Sequence, residues 1–444
     1  MNKHNTLAIG LMTFAMFLGA GNIIFPPLLG LQAGTHYLPA MLGFLITAVG
    51  LPALTLVVLG RLSHSQQLTA ALPKPMATGF WVLLFTAIGP AFGMPRAVTV
   101  AYEMGIAPFT NGDLLLPFSL IFVAVTLLLA FQRGKLVDYI GKVMTPLLVL
   151  LLAVLAVTAF VAPVSPMTLP SGDYQHQAVT QGLIQGYMTM DAIAAVGFGW
   201  VIIKTIQDKS VSQNKGVSSR GALFSSTVKV TLIYAVLMSA CYLAMGYVGA
   251  TSSAVASGAT NGGEILTNYV ASLFGIYGQY LLAVIIIMAC LTTTVGLTNA
   301  CAEYYQQTFN TPFSVTTVIV CALTGLIANF GLDQILEISL PVILVLCPVA
   351  IALVITALVV KPSPFQRPIF VATVSVTLVF GTIDTLHILG LIPTQWEAVL
   401  SDFMPLYAAH ASWLLPCLTT LLFSLLANAS LARREKTVTT TSAK

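Results

Sequence analysis

The chain has 444 residues, of which 57% are hydrophobic and 7% charged, with a formal net charge of +4. Soluble domains carry roughly 25% charged residues, so this chain cannot cover a water-facing surface, and lipid is the surrounding it suits. The small basic excess serves membrane orientation; no nucleic-acid partner, soluble domain or bound cofactor is expected.

The first hydrophobic run passes through Gly19-Ala20-Gly21-Asn22 into Pro26-Pro27. It lacks a small-residue cleavage site and reads as a span rather than a signal peptide. Gly-x-Gly admits backbone angles closed to other residues, and prolines remove helical N–H donors. Peptide groups exposed by unwinding at mid-membrane need partners. The N–H groups suit a carboxylate, the carbonyls suit a cation or an ammonium, and Asn22 adds an amide able to ligate a cation. The alternative is a close-packing motif between helices.

Nearly charge-free runs follow at 38–59, 114–131, 146–161, 230–248, 280–297, 315–327, 341–360 and 369–380. Several reach the ~20 residues that cross a hydrocarbon core about 30 Å thick. The third span is interrupted by Gly89-Pro90 and Gly93-Met94-Pro95 and then carries Arg96. The sixth, 182–203, holds Asp191 mid-span and then Gly197-Phe198-Gly199. A carboxylate at that depth is costly unless it faces a partner, an ion or water. Asp191 can carry a proton, ligate a cation or ammonium, or pair with Arg96. Arg96 in turn can pair with Asp191 or Glu103, or hold a substrate carboxylate bidentately. At 1.5 Å per residue the two lie about 12 and 15 Å below the outer ends of their spans, so they can meet.

In the eighth span Thr292-Thr293-Thr294 precede Gly296. Their hydroxyls either bond back to their own helix or offer hard oxygen ligands to a small cation. The segment 264–274 is weakly amphipathic and reads as a short helix across the outer mouth. Glu337 and Asp384 read as solvated end charges. The six histidines are scattered, and the six cysteines read as apolar fillers without metal-ligand spacing.

Counting the interrupted spans and the last one gives an all-α membrane protein of about twelve transmembrane helices. With the N-terminus inside, all of the 18 basic residues except Arg96 fall in inside loops or tails, and the positive-inside rule then places both termini in the cytoplasm. Gly19-x-Gly21 and Gly197-x-Gly199 are each followed by bulky aliphatics, and five intervening spans put the second copy in opposite orientation. That is the pattern of a 5+5 inverted repeat with broken first and sixth helices, plus two appended helices. The expected divisions are 1–180, 181–362, 363–432 and a disordered cytoplasmic tail, 433–444.

The run from Thr13 to Pro27 (TFAMFLGAGNIIFPP) resembles the opening of the branched-chain amino acid carrier (BrnQ, LIVCS) family. So do 43–52 (GFLITAVGLP), the Gly-Pro…Pro-Arg third span and 187–194 (YMTMDAIA). The resemblance implies a bacterial inner-membrane symporter importing leucine, isoleucine and valine on a Na+ or H+ gradient. More distantly, the two breaks resemble those of the leucine-transporter-type fold. That likeness implies substrate contacts at Ala20, Gly21 and Phe198, and cation contacts at the carbonyls of Ala15 and Leu18 and the hydroxyls of Thr293 and Thr294. Asn22 is implied at a second cation site. Asp191 departs from that pattern, which leaves the coupling ion open.

The expectation is therefore a secondary transporter, with a cation or small-solute channel, or a carrier of another small neutral amino acid, as alternatives. A channel needs a continuous polar pore or ring, whereas this chain offers an isolated Asp. An intramembrane enzyme is disfavoured because no Ser/His, paired-Asp or His-Glu motif lies within the spans. The sequence does not reveal the oligomeric state.

Overall fold

Lipid cannot satisfy free backbone N–H and C=O groups, so a chain this apolar must bond them within its own segments. The computed structural model is helical accordingly and describes residues 3–62, 65–110, 112–131, 145–214, 220–360, 366–404, 406–407 and 410–441, among which there is no strand. The inside-loop residues Arg133, Lys135, Lys142, Lys215 and Lys361, and Lys444, lie outside them.

The helices are α1 Lys3–Phe17, α2 Ala20–Ala33, α3 Tyr37–Leu45, α4 Leu51–Leu62, α5 Lys74–Thr86 and α6 Gly93–Gly105. Then come α7 Leu115–Ala130, α8 Thr145–Val161, α9 Tyr174–Met188, α10 Asp191–Asn214, α11 Arg220–Ala250 and α12 Ser253–Ala256. The last are α13 Gly262–Phe309, α14 Phe313–Ala328, α15 Leu332–Val359, α16 Gln366–Ile388, α17 Thr394–Phe403 and α18 Leu414–Thr441. Among the described residues, six helical stretches are long and apolar enough to cross a membrane, or up to eight if each of two bent pairs is one span. Three shorter apolar helices accompany them. The protein is a multi-pass membrane protein.

The chain forms two compact units, Met1–Ser65 with Leu83–Ser339, and Gln66–Val82 with Leu340–Lys444. In the first, α7 shows how lipid orders the packing. Leu116, Leu120, Ile121 and Leu128 are exposed, whereas Ser119, Phe122, Thr126 and Ala130 are buried. Water would invert that pattern. Thr126 satisfies its hydroxyl on the Phe122 carbonyl at 2.9 Å, the usual back-bond of a helical threonine. Without a hydrophobic force between helices, close backbone contact drives association. A Cβ on Gly182 of α9 would collide with the Ala40 carbonyl of α3, and one on Gly30 of α2 with the Gly246 carbonyl of α11. These glycines clamp the helices that carry the two breaks.

The limb 262–274 is a short helix, as expected, and Gly275 at φ 58, ψ −145 turns the chain between it and the rest of α13. Two expectations change. The tail expected to be disordered from Arg433 continues α18 to Thr441, because extending a formed helix costs far less than starting one. Asp384 is 1% exposed rather than solvated.

Candidate functional site

The first span breaks at Leu18 and Gly19, between α1 and α2. Gly19 is extended at φ −108, ψ −168. Pro26 and Pro27 lie inside α2 and supply no N–H, so the carbonyls of Asn22 and Ile23 lose their helical donors. In the third span Gly89 leaves helical geometry at φ −88, ψ −121, and Arg96 falls in the first turn of α6, buried.

The sixth span breaks elsewhere than Gly197–Gly199. Those glycines sit within continuous α10, where a Cβ on Gly197 would strike Ile88 and one on Gly199 would strike Leu59. They are packing positions. The break is at Thr189–Met190, with Met190 left-handed at φ 67, a strained state for a side chain of this size. Asp191 therefore opens α10 rather than sitting mid-helix. An acid belongs in a first helical turn, and that was the sequence signal available for this break.

The two breaks meet. Asn22 Nδ2 donates to Asp191 Oδ2 at 2.9 Å and Oδ1 at 3.1 Å, and to the Phe17 carbonyl at 2.7 Å. The Tyr242 hydroxyl, from α11, donates to Asp191 Oδ2 at 2.7 Å. Both carboxylate oxygens thus act as acceptors. Arg96 does not pair with Asp191: no ion pair joins them among the described residues. Its Nη2 lies 3.5 Å from the Thr189 carbonyl, a long contact, and its Nε is buried without a partner. Glu103 is exposed and forms no ion pair with it either.

A cavity of about 50 Å³ lies between these groups. Of the residues picked from sequence, Ala20, Gly21, Asn22, Arg96, Asp191, Phe198 and Thr293 line it. Phe17, Ile88, Ala97 and Leu297 add an apolar wall. Gly21 brings the backbone close to the guanidinium, since a Cβ there would sit 2.6 Å from Arg96 Nη2. Phe198 is 1% exposed, its ring edge-on to Phe17 at 5.0 Å.

The threonines divide. Thr292 donates to the Ala15 carbonyl at 2.9 Å, and Thr293 Oγ1 lies 3.5 Å from the same oxygen. Thr294 turns away, to the Leu291 carbonyl at 3.0 Å and toward Thr126 Oγ1 at 3.4 Å. Successive helical residues point about 100° apart, so three in a row cannot share one face. Leu18 sits in the break itself. Tyr242 is the neighbour the sequence left unmarked, and of the three threonines Thr292 is the one that bonds the Ala15 carbonyl.

A family model described as "Branched-chain amino acid transport protein" matches residues 2–431. The chain belongs to this branched-chain amino acid transport protein family. The branched-chain amino acid transport system 2 carrier protein of Pseudomonas aeruginosa is 39% identical, over 97% of this chain and 98% of that one. The branched-chain amino acid permease BrnQ of Haemophilus influenzae is 37% identical, over 96% and 97%. Among solved structures, a Na+-coupled sialic acid symporter in a substrate-bound outward-open state superposes with a TM-score of 0.60 at 11% identity, covering 95% of this chain and 89% of that one. The chain thus shares the helical fold of that structure, and as a member of its family it is a transporter, not an enzyme.

Proposed function

We propose that this protein is a secondary symporter that carries leucine, isoleucine and valine inward across a bacterial inner membrane, coupled to sodium. One observation carries the reading: a carboxylate and a guanidinium line one small apolar-walled cavity without forming an ion pair with each other. Charges kept apart in a low-dielectric site are the complement of a zwitterion. The substrate carboxylate goes to Arg96 and the first N–H groups of α2, the ammonium to Asp191 and the carbonyls ending α1 and α9. The aliphatic side chain rests on Phe17, Ile88, Phe198 and Leu297. The names of the curated relatives support branched-chain substrates. Twelve spans in a 5+5 inverted repeat, with both ends cytoplasmic, fit the paired breaks and the basic-residue pattern.

Sodium is favoured over a proton by the oxygen set at the break. The Ala15 carbonyl and the Thr292 and Thr293 hydroxyls are hard ligands, the kind small hard cations take. The test is counterflow of labelled leucine in proteoliposomes. We expect exchange typical of a carrier and loss of accumulation when choline replaces sodium at fixed pH. Conductive leak without counterflow would make it a channel; accumulation in choline driven by pH would make the coupling ion a proton.

A finer prediction separates the threonines. Thr292→Val and Thr293→Val should each raise the sodium concentration for half-maximal uptake about ten- to hundredfold, the weight of one contact to a charged group at roughly 1.5–3 kcal/mol. Thr294→Val should shift it little. Equal sodium dependence in all three variants would remove the cation from this helix.

A further inference from the structure

A second cluster of polar groups lies in the other compact unit. Asp384 and His387 are three residues apart on α16 and share a face. Asp384 Oδ1 accepts a hydrogen bond from Ser412. His387 Nε2 is 3.3 Å from Glu397 Oε1 on α17. Tyr407 and His410, between α17 and α18, pack against His387. Tyr407 stacks on the His387 ring at 4.2 Å, and the His410 ring lies 5.0 Å from it. Contrary to the scattered histidines expected from sequence, two of the six thus form a pair. His387 Nδ1, Tyr407 Oη, His410 Nδ1 and Trp413 Nε1 are all buried without a hydrogen-bond partner.

Among the described residues no three His, Cys, Asp or Glu side chains are placed to share a metal ion. The chemistry left to an imidazole pair is proton binding. We propose that His410 is a proton-operated latch: neutral, it holds residues 410–413 against α16, and protonated, it lets them go.

Three observations support the latch. A cation at His410 would lie in a half-enclosed place beside a second imidazole, and both burial and His387 lower its proton affinity below the ordinary value. Each acid facing the pair is engaged through one oxygen, Asp384 by Ser412 and Glu397 by His387, while Asp384 Oδ2 is buried without a partner, and Tyr407 presents a neutral ring. The backbone is also under tension: Leu406 and His410 are left-handed at φ 66 and φ 49. Such conformations persist only while their surroundings hold them. Because the packed state disfavours the proton, the contact is at full strength above about pH 6.5, the ordinary imidazole value, and weakens as pH falls below it.

The latch would give the carrier a response to pH that is independent of its coupling ion. The test uses the full-length protein and tryptophan emission between pH 8 and 5. Trp413 adjoins the cluster, and Trp413→Phe identifies its share of the signal. We expect a Trp413-dependent transition with a midpoint below about 6.5 that His410→Gln abolishes. His387→Gln should keep the transition and move its midpoint upward, because it removes the imidazole opposing the charge. An identical transition in both variants, or no Trp413-dependent change in the wild type, would overturn the proposal. If His410→Gln does not fold, the His387→Gln midpoint decides alone, an unmoved midpoint counting against the latch.

Discussion

Asp191→Asn is expected to abolish gradient-driven leucine accumulation while the protein still inserts and folds. Asn keeps the shape but replaces one acceptor oxygen with a donor. In either orientation that donor faces Asn22 Nδ2, which donates to both carboxylate oxygens in the native site. Two donors then confront each other in a buried place. The charge that would receive an ammonium is lost as well. Each bond to a charged group is worth roughly 1.5–3 kcal/mol, so leucine binding should fall by about a hundredfold. Tyr242→Phe removes one of these bonds and leaves the charge, so it should weaken binding only about tenfold and retain accumulation. The pattern across assays assigns the cause. If Asp191 carries a coupled proton, the Asn variant still exchanges leucine for leucine and loses only pH-driven uptake. If Asp191 holds the ammonium, binding itself fails, which is the result expected. Accumulation equal to wild type between about pH 5.5 and 8 would leave Asp191 a structural residue.

How much of this site was legible in the sequence depends on what makes each break. The first and third breaks are written in local chemistry, because glycine and proline deform a helix wherever they stand. The sixth is not. Met190 has no intrinsic preference for φ 67; it is held there by its surroundings. The Thr189 hydroxyl bonds the Gly186 carbonyl at 2.8 Å, and Asp191 is tied to α2 and α11. The Gly-x-Gly that begins seven residues after Met190 carried the louder signal, and its real service is packing α10 against Ile88 and Leu59. Tyr242 was silent for a related reason. A tyrosine in an apolar span reads as core until the fold shows where its hydroxyl goes. The His387–His410 pair is joined by a chain reversal of 23 residues, and no spacing rule reaches across that.

Arg96→Gln should cost leucine binding about ten- to hundredfold, the weight of a charge-assisted carboxylate contact. The guanidinium is buried, its Nε has no partner and its Nη2 makes only a 3.5 Å contact. A structural arginine at this depth would be paired, since an unpaired buried charge is costly. One reserved for a ligand is left open until the ligand arrives. Two controls separate these meanings. Leucinamide lacks the carboxylate, so wild-type protein should prefer leucine strongly and Arg96→Gln should erase that preference. Folding stability should change little in the variant, because the relief of burying a guanidinium is offset by the loss of its attraction to Asp191. The double variant with Asp191→Asn addresses the remaining alternative. Were the two residues merely neutralising each other, removing both would restore expression and transport. Because they form no ion pair, the double variant should be at least as impaired as the worse single one. Rescue in the double variant, or wild-type leucine affinity in Arg96→Gln, would return Arg96 to a structural role and leave the substrate carboxylate to the backbone at the start of α2.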